Sequence, residues 1–250
     1  MHNVSAGPAV PRPAATVILV RPATQRGLCV YMTRRSAKSR FMPEVHVFPG
    51  GAVDPEDRDV VAQGRIVGAA HGPAAELTVA ALRELFEEAG ILIASDARGN
   101  LVALDDGELA ALRAERAAGA PFAELLARHA LRLDARELAY YSNWVTPERE
   151  RIRFDAHFFL ARAPEKQIAR ADAVEVHDGE WIAPADALAR AARGEFAIIF
   201  PTRMHLERLA AFDDVDALFA HARERVVRPV MPVEREDGAI AFASEADRAW

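Results

Sequence analysis

Apolar positions recur along this chain at two periods, and the change between them marks out its elements. Residues 15–22 and 27–34 are short apolar runs joined near Gln25 and Gly27, which predicts two strands and a turn. Val45 to Phe48 predicts a third, short strand running into the pair Gly50-Gly51. From about Glu76 to Ala89 the period lengthens to that of a helix. Val79, Leu82, Leu85, Phe86 and Ala89 gather on one face, and Glu84, Glu87 and Glu88 lie opposite at i, i+3, i+4. Gly90 stands where a helix C-cap favours positive φ.

Residues 52–75, polar and then rich in Gly and Ala, read as a loop. Helices are predicted at 105–118 and 121–131, with Pro121 suited to the first helical position. They are expected to pack over the sheet, with a lid on the substrate as the other option. Strands follow at about 138–145, 153–162 and 174–182, and helices near 184–193, 202–212 and 214–225. Residues 1–14 read as a flexible Pro- and Ala-rich leader, 15–227 as the main domain, and 228–250 as a tail or small edge hairpin. This order of elements predicts an α/β protein, an α/β/α sandwich around a mixed sheet with inserted and C-terminal helices.

Composition narrows the options further. A net charge of −6 argues against general binding to nucleic acid or a membrane surface. A polyanionic ligand would need a local basic patch, and Arg34, Arg35, Lys38 and Arg40 supply one just before Phe48-Pro49-Gly50-Gly51. Cys29 is the single cysteine, so no intramolecular disulfide forms; its apolar surroundings read as a buried strand. No run reaches the ~20 apolar residues of a spanning helix. No secretion signal or peroxisomal C-terminal address is visible, and with Ala and Arg so abundant a bacterial cytoplasmic protein is expected.

The acidic face is badly placed for stability alone. Its carboxylates crowd the last turns, where the helix dipole is already negative. Two such charges ~6 Å apart repel by roughly 2–3 kcal/mol at an effective dielectric near 20. A divalent cation reverses that sign, and oxygen-only ligands suit Mg²⁺ or Mn²⁺. Arg83 can reach Glu87 one turn on.

The run Arg83-Glu84-x-x-Glu87-Glu88-x-Gly90, with Phe48-Pro49-Gly50-Gly51 upstream, resembles the Nudix box. In that family a loop–helix–loop binds divalent metals and cleaves a diphosphate linked to a nucleoside. The resemblance implies metal carboxylates at Glu84, Glu87 and Glu88, a further ligand in the Gly51 carbonyl, and a supporting role for Arg83. Arg83 follows Gly51 by 32 positions (83 − 51) where the usual box has 14, so an insertion at about 54–75 splits the box. The box's intermediate Glu has three candidate counterparts: Glu76, Glu56 and Asp57.

Thr33, Arg35, Ser36 and Arg40 also match, in register, a signature of Nudix enzymes acting on coenzyme A, with Glu44 where that signature has Gly. The divided box and Trp144-Val145-Thr146-Pro147 resemble the coenzyme A diphosphatases of Nudix motif 19 type. That likeness implies cleavage of coenzyme A or acyl-CoA to 3′,5′-ADP and 4′-phosphopantetheine or its acyl form, with Thr33, Arg35 and Arg40 at the substrate. Glu84, Glu87 and a downstream acid, Glu175, with Asp178 as its neighbour and competitor, are the candidates for general base. His46, His157, His177 and His205 are expected to be structural. The expected partner is a small nucleotide-like substrate; the oligomeric state is open, a homodimer included. An ADP-ribose pyrophosphatase and a catalytically silent ligand-binding module are the alternatives.

Overall fold

The computed structural model describes residues 7–24, 26–39, 42–68, 74–172 and 176–250. Strands β1 (Arg12–Pro22), β2 (Leu28–Arg35), β3 (His46–Val47) and β4 (Gly50–Ala52) open the chain. Helix α1 (Pro55–Ala62), β5 (Ile66–Val67), helix α2 (Ala75–Ala89) and β6 (Ala94–Ser95) follow. Next come α3 (Asp106–Ala117), α4 (Phe122–Arg128), β7 (Arg132–Asp134), β8 (Leu138–Val145), β9 (Phe154–Arg162) and β10 (Val176–Ile182). The last part holds α5 (Pro184–Ala192), α6 (Phe200–Leu209), α7 (Val215–Glu224), β11 (Pro229–Val230), β12 (Val233–Glu234), β13 (Ile240–Ala241) and α8 (Glu245–Arg248).

The main sheet runs β10-β2-β1-β9-β8-β11, with β3 on β2 and β4 on β1. It is mixed: β1 lies parallel to β9 and β11 parallel to β8, whereas β2 and β4 are antiparallel to β1. Alternation along β1 sends side chains to opposite faces. Ala15, Val17 and Leu19 pack with α2, α3 and α4 through Val79, Leu82, Phe86, Leu112 and Phe122. Ile18 and Val20 pack on the other face with Phe196, Leu206, Leu209 and Leu218. Burying a side chain of this kind contributes roughly 1.5–3 kcal/mol, so the two apolar layers fix the sandwich. The expected α/β/α architecture is the observed one.

Helix α2 forms where its period placed it, and Gly90 caps it at φ 70° with its N–H donating to the Phe86 carbonyl. Three expectations need correction. Residues 54–67 are not a loop: Asp54 accepts from Glu56 N–H, Pro55 starts α1, and Asp57 returns to the Asp54 N–H, a capping box that nucleates the helix. Residues 69–73 lie outside the described residues. Pro121 is the N-cap of α4 rather than its first residue. The leader is not wholly separate, because β1 begins at Arg12 and Ala14 is buried. Past residue 228 a small hairpin forms, as one of the two expectations had it, from β12 paired antiparallel with β13; the chain also adds β11 to the sheet and buries Trp250 against Trp144. Cys29 is half-buried in β2, and burial pushes its thiol pKa up. No helix among the described residues is long and apolar enough to cross a membrane.

Candidate active site

Two glycines let the acidic helix reach the sheet edge. A Cβ on Gly50 would stand 2.6 Å from the Ala15 carbonyl oxygen and 2.7 Å from Thr16 Cα, so β4 approaches β1 too closely for any side chain there. A Cβ on Gly51 would overlap the carboxylate of Glu84. With both positions bare, Glu84 and Glu88 come past β4 to line a cavity of about 620 Å³. The Gly50 N–H donates to Glu88 Oε2 at 2.9 Å and fixes that carboxylate.

Arg83 organises the rest of the acidic cluster from behind. It is 4% exposed. Its Nε and Nη2 donate to Asp57 at 2.8 and 3.2 Å, and its Nη1 donates to Glu84 at 2.7 Å and Glu87 at 2.9 Å. Nη2 also reaches the Ala52 carbonyl at 3.1 Å, tying α2 to β4. Burial alone would lower the guanidinium pKa, but Asp57, Glu84 and Glu87 together drive it upward, so Arg83 stays charged. Burial pushes the Asp57 carboxyl up, opposed by its two bonds from Arg83. Of the three candidates for the box's intermediate acid, Asp57 is the one that meets Arg83. Glu56 pairs instead with Arg116 and accepts from Phe122 N–H.

Glu87 occupies a different place from its two neighbours. Arg83 holds one of its oxygens and Arg116 Nε the other, at 2.6 Å, and it does not border the cavity. Among the described residues no three Asp, Glu, His or Cys side chains converge as a ready metal site. At the glycine edge of the cavity the hard oxygen donors Glu84, Glu88 and the Gly51 backbone form a set whose chemistry fits Mg²⁺ or Mn²⁺.

Arg35 lines the cavity and donates to Ser39 Oγ from Nε and Nη2, at 3.2 and 3.0 Å. Arg12 also lines it, with its guanidinium 5.1 Å from the centre of the Phe154 ring. Glu150 contributes a further carboxylate from the β8–β9 connection. The sequence reading missed Arg12 and Glu150; the only signal for Arg12 was that β1 could begin three residues earlier. Thr33 is fully buried where β2 pairs with β3 and is not among the residues that line the cavity. Arg40 and Glu175 lie outside the described residues. Asp178 sits at φ 48° and is paired with Arg34 at 2.5 Å.

Glu44 explains its own departure from the coenzyme A signature. Its φ is 62°, the left-handed conformation for which Gly is the usual choice. Arg34 holds its side chain at 2.9 Å, so this chain keeps the turn without the glycine.

His205 supports the cavity from the far face and is structural. Its Nδ1–H donates to the Pro201 carbonyl at 2.7 Å, leaving Nε2 to accept from Ser142 Oγ at 2.6 Å. Phe158, a cavity-lining residue, stacks on it at 4.3 Å. Complete burial lowers its pKa to about 3, so it is neutral.

Comparison with known proteins places this geometry. Residues 67–209 match the NUDT19 Nudix domain. The putative nudix hydrolase 7 of Caenorhabditis elegans is 28% identical over 221 residues, 88% of this chain and 67% of the relative. The human acyl-coenzyme A diphosphatase NUDT19 is 27% identical, with 83% of this chain and 67% of the relative covered. A crystal structure of a NUDIX hydrolase from Alicyclobacillus acidocaldarius superposes with a TM-score of 0.75 at 30% identity, over 85% of this chain and 96% of that one. Nudix hydrolases generally use divalent metal ions. With the split box, the sandwich and the carboxylate-lined cavity in agreement, the chain belongs to the Nudix hydrolase family and matches its NUDT19 branch.

Proposed function

We propose that this hydrolase cleaves the diphosphate of coenzyme A or acyl-CoA, giving 3′,5′-ADP and 4′-phosphopantetheine or its acyl form. The observation that carries the reading is the cavity itself, where two carboxylates delivered past Gly50 and Gly51 share one space with Arg12 and Arg35. The relatives named acyl-coenzyme A diphosphatase support the substrate class.

Glu84, Glu88 and the Gly51 carbonyl would hold Mg²⁺ or Mn²⁺. Such an ion neutralises phosphoryl oxygens and lowers the pKa of a bound water. Glu87 could join the set by exchanging Arg83 and Arg116 for the cation. Arg83, locked by Asp57, fixes the position of Glu84 and keeps the backbone of β4 against α2. Arg35 and Arg12 present forked donors suited to phosphate oxygens, and Arg40 is a third candidate from the same basic segment. The base that takes the proton of water is assigned to Glu84, one of the carboxylates bordering the cavity; Glu175 and Glu150 are the other acids proposed for that step.

A substrate panel tests the reading. Coenzyme A, octanoyl-coenzyme A, ADP-ribose and NADH are compared with Mg²⁺ and with Mn²⁺, and kcat/KM should be highest on the two coenzyme A forms. Preference for ADP-ribose would favour the alternative pyrophosphatase, and no turnover with any metal would favour the ligand-binding module.

A further inference from the structure

The sheet gives the cavity a direction. The strands β4, β1, β9 and β8 are successive neighbours, and the pairs Ala52–Ala14, Ala14–Ala156 and Ala156–Trp144 form one row across them on one face. Three strand spacings of ~4.8 Å put Trp144 roughly 14 Å from the glycine edge where Glu84 and Glu88 emerge. All four residues of the row border the cavity, and its three alanines leave a trough between the two ends.

The far end of the trough is walled by Trp144, Ile199 and Phe200, together with Pro232 and Ile240. The last two belong to the segment carrying β12 and β13, which is fastened in place at several points. Phe242 packs on Trp144 at 5.8 Å and on Phe200 at 5.3 Å, β11 pairs with β8, and Glu234 is ion-paired with Arg149. Pro232 and Ile240 fall outside the matched stretch 67–209, whereas Trp144, Ile199 and Phe200 lie within it, so only the part of the wall from residues 229–241 is not carried over by the family match.

We infer that the apolar end is a subsite for an aliphatic chain carried by the substrate, with Ile240 as the residue that sets preference between acylated and unacylated forms. The inference rests on the proposed coenzyme A reading. A linear substrate held by its diphosphate at the glycine edge carries its distal group along the alanine trough to this wall. A free thiol leaves Trp144, Phe200 and Ile240 wet, whereas an acyl chain covers them.

Binding is measured calorimetrically in EDTA, which separates it from turnover. The ligands are coenzyme A, octanoyl-coenzyme A and S-octanoyl-pantetheine, which lacks the nucleotide and the diphosphate. The wild-type chain should bind octanoyl-coenzyme A at least tenfold more tightly than coenzyme A, with a more negative heat-capacity change. Ile240→Glu should abolish that preference while changing affinity for coenzyme A less than twofold, and Ile240→Leu should keep it. Equal affinity of the wild type for both coenzyme A forms, or equal weakening of both by Ile240→Glu, overturns the subsite. If S-octanoyl-pantetheine binds the wild type and not Ile240→Glu in EDTA, while coenzyme A is not cleaved in a separate assay with Mg²⁺ or Mn²⁺, the subsite stands and the coenzyme A reading falls.

Discussion

Arg83 and Asp57 stand 26 positions apart in the chain and meet through two hydrogen bonds, at 2.8 and 3.2 Å, in a region closed to water. The insertion therefore lengthens the path between the box's halves and still returns an acid to the arginine. Asp57→Ala leaves a buried guanidinium with only part of its countercharge, a defect worth about 3 kcal/mol. Urea unfolding should show that loss, against under 1 kcal/mol for Glu76→Ala on the first turn of α2. Equal effects would remove Asp57 from the role.

Gly51→Ala tests the passage for Glu84. The added methyl overlaps that carboxylate, which must turn away from the cavity. A fall in kcat of at least tenfold is expected, with a stability cost of about 1–2 kcal/mol because the obstructed group is the end of a side chain. Unchanged kcat in steady-state assays would mean that Glu84 has no part in the chemistry.

Glu87 and Glu88 are adjacent in sequence and separate in space. Glu88 borders the cavity, whereas Glu87 is held by Arg83 and Arg116. Glu88→Gln should weaken Mn²⁺ binding, read by calorimetry, at least tenfold more than Glu87→Gln does. The reverse order would show that Glu87 leaves its arginines for the cation.

Arg12→Ala and Arg35→Ala should each raise KM for coenzyme A about tenfold with kcat within threefold, since both are assigned to ground-state phosphate contacts. A fall in kcat with KM unchanged would move either residue from binding to transition-state stabilisation.

His205 makes stability depend on pH. Its folded pKa of about 3 lies below the ordinary 6.5, so the unfolded chain takes up a proton that the folded chain refuses. Its contribution is complete above pH 6.5 and is lost as pH falls toward 3. Between pH 7.5 and pH 5 the loss is about 2 kcal/mol. His205→Gln, which retains a donor and an acceptor, should flatten that slope in urea titrations; His46, His157 and His221, also lowered by burial, contribute to what remains.

Local signals were read most fully. The period of α2, the cap at Gly90 and the strand stretches of β8 and β9 are properties of neighbouring residues, and these elements stand where they were expected, whereas β1 begins three residues before its apolar run. Helix α1 was equally local, since Asp54-Pro55-x-Asp57 is a capping box, but the Gly- and Ala-rich residues after it suggested a loop. What was not legible depends on contacts distant in sequence. Nothing near Glu87 indicates that Arg116, 29 positions on, takes one of its oxygens. Arg12 enters the cavity only because β1 pairs in parallel with β9 and sets Arg12 opposite Phe154. Thr33 matched a signature by position, yet it is fully buried in β2 beside β3.

The central claim is that Glu84 and Glu88 beside Gly51 support water attack on the diphosphate of coenzyme A. Incubating coenzyme A with the protein and Mg²⁺ or Mn²⁺ in H₂¹⁸O, and weighing the products by mass spectrometry, tests it most directly. The expected result is 3′,5′-ADP and 4′-phosphopantetheine with one ¹⁸O between them, and no product above background from Glu88→Gln. Intact coenzyme A, or equal turnover by the wild type and Glu88→Gln, would contradict it.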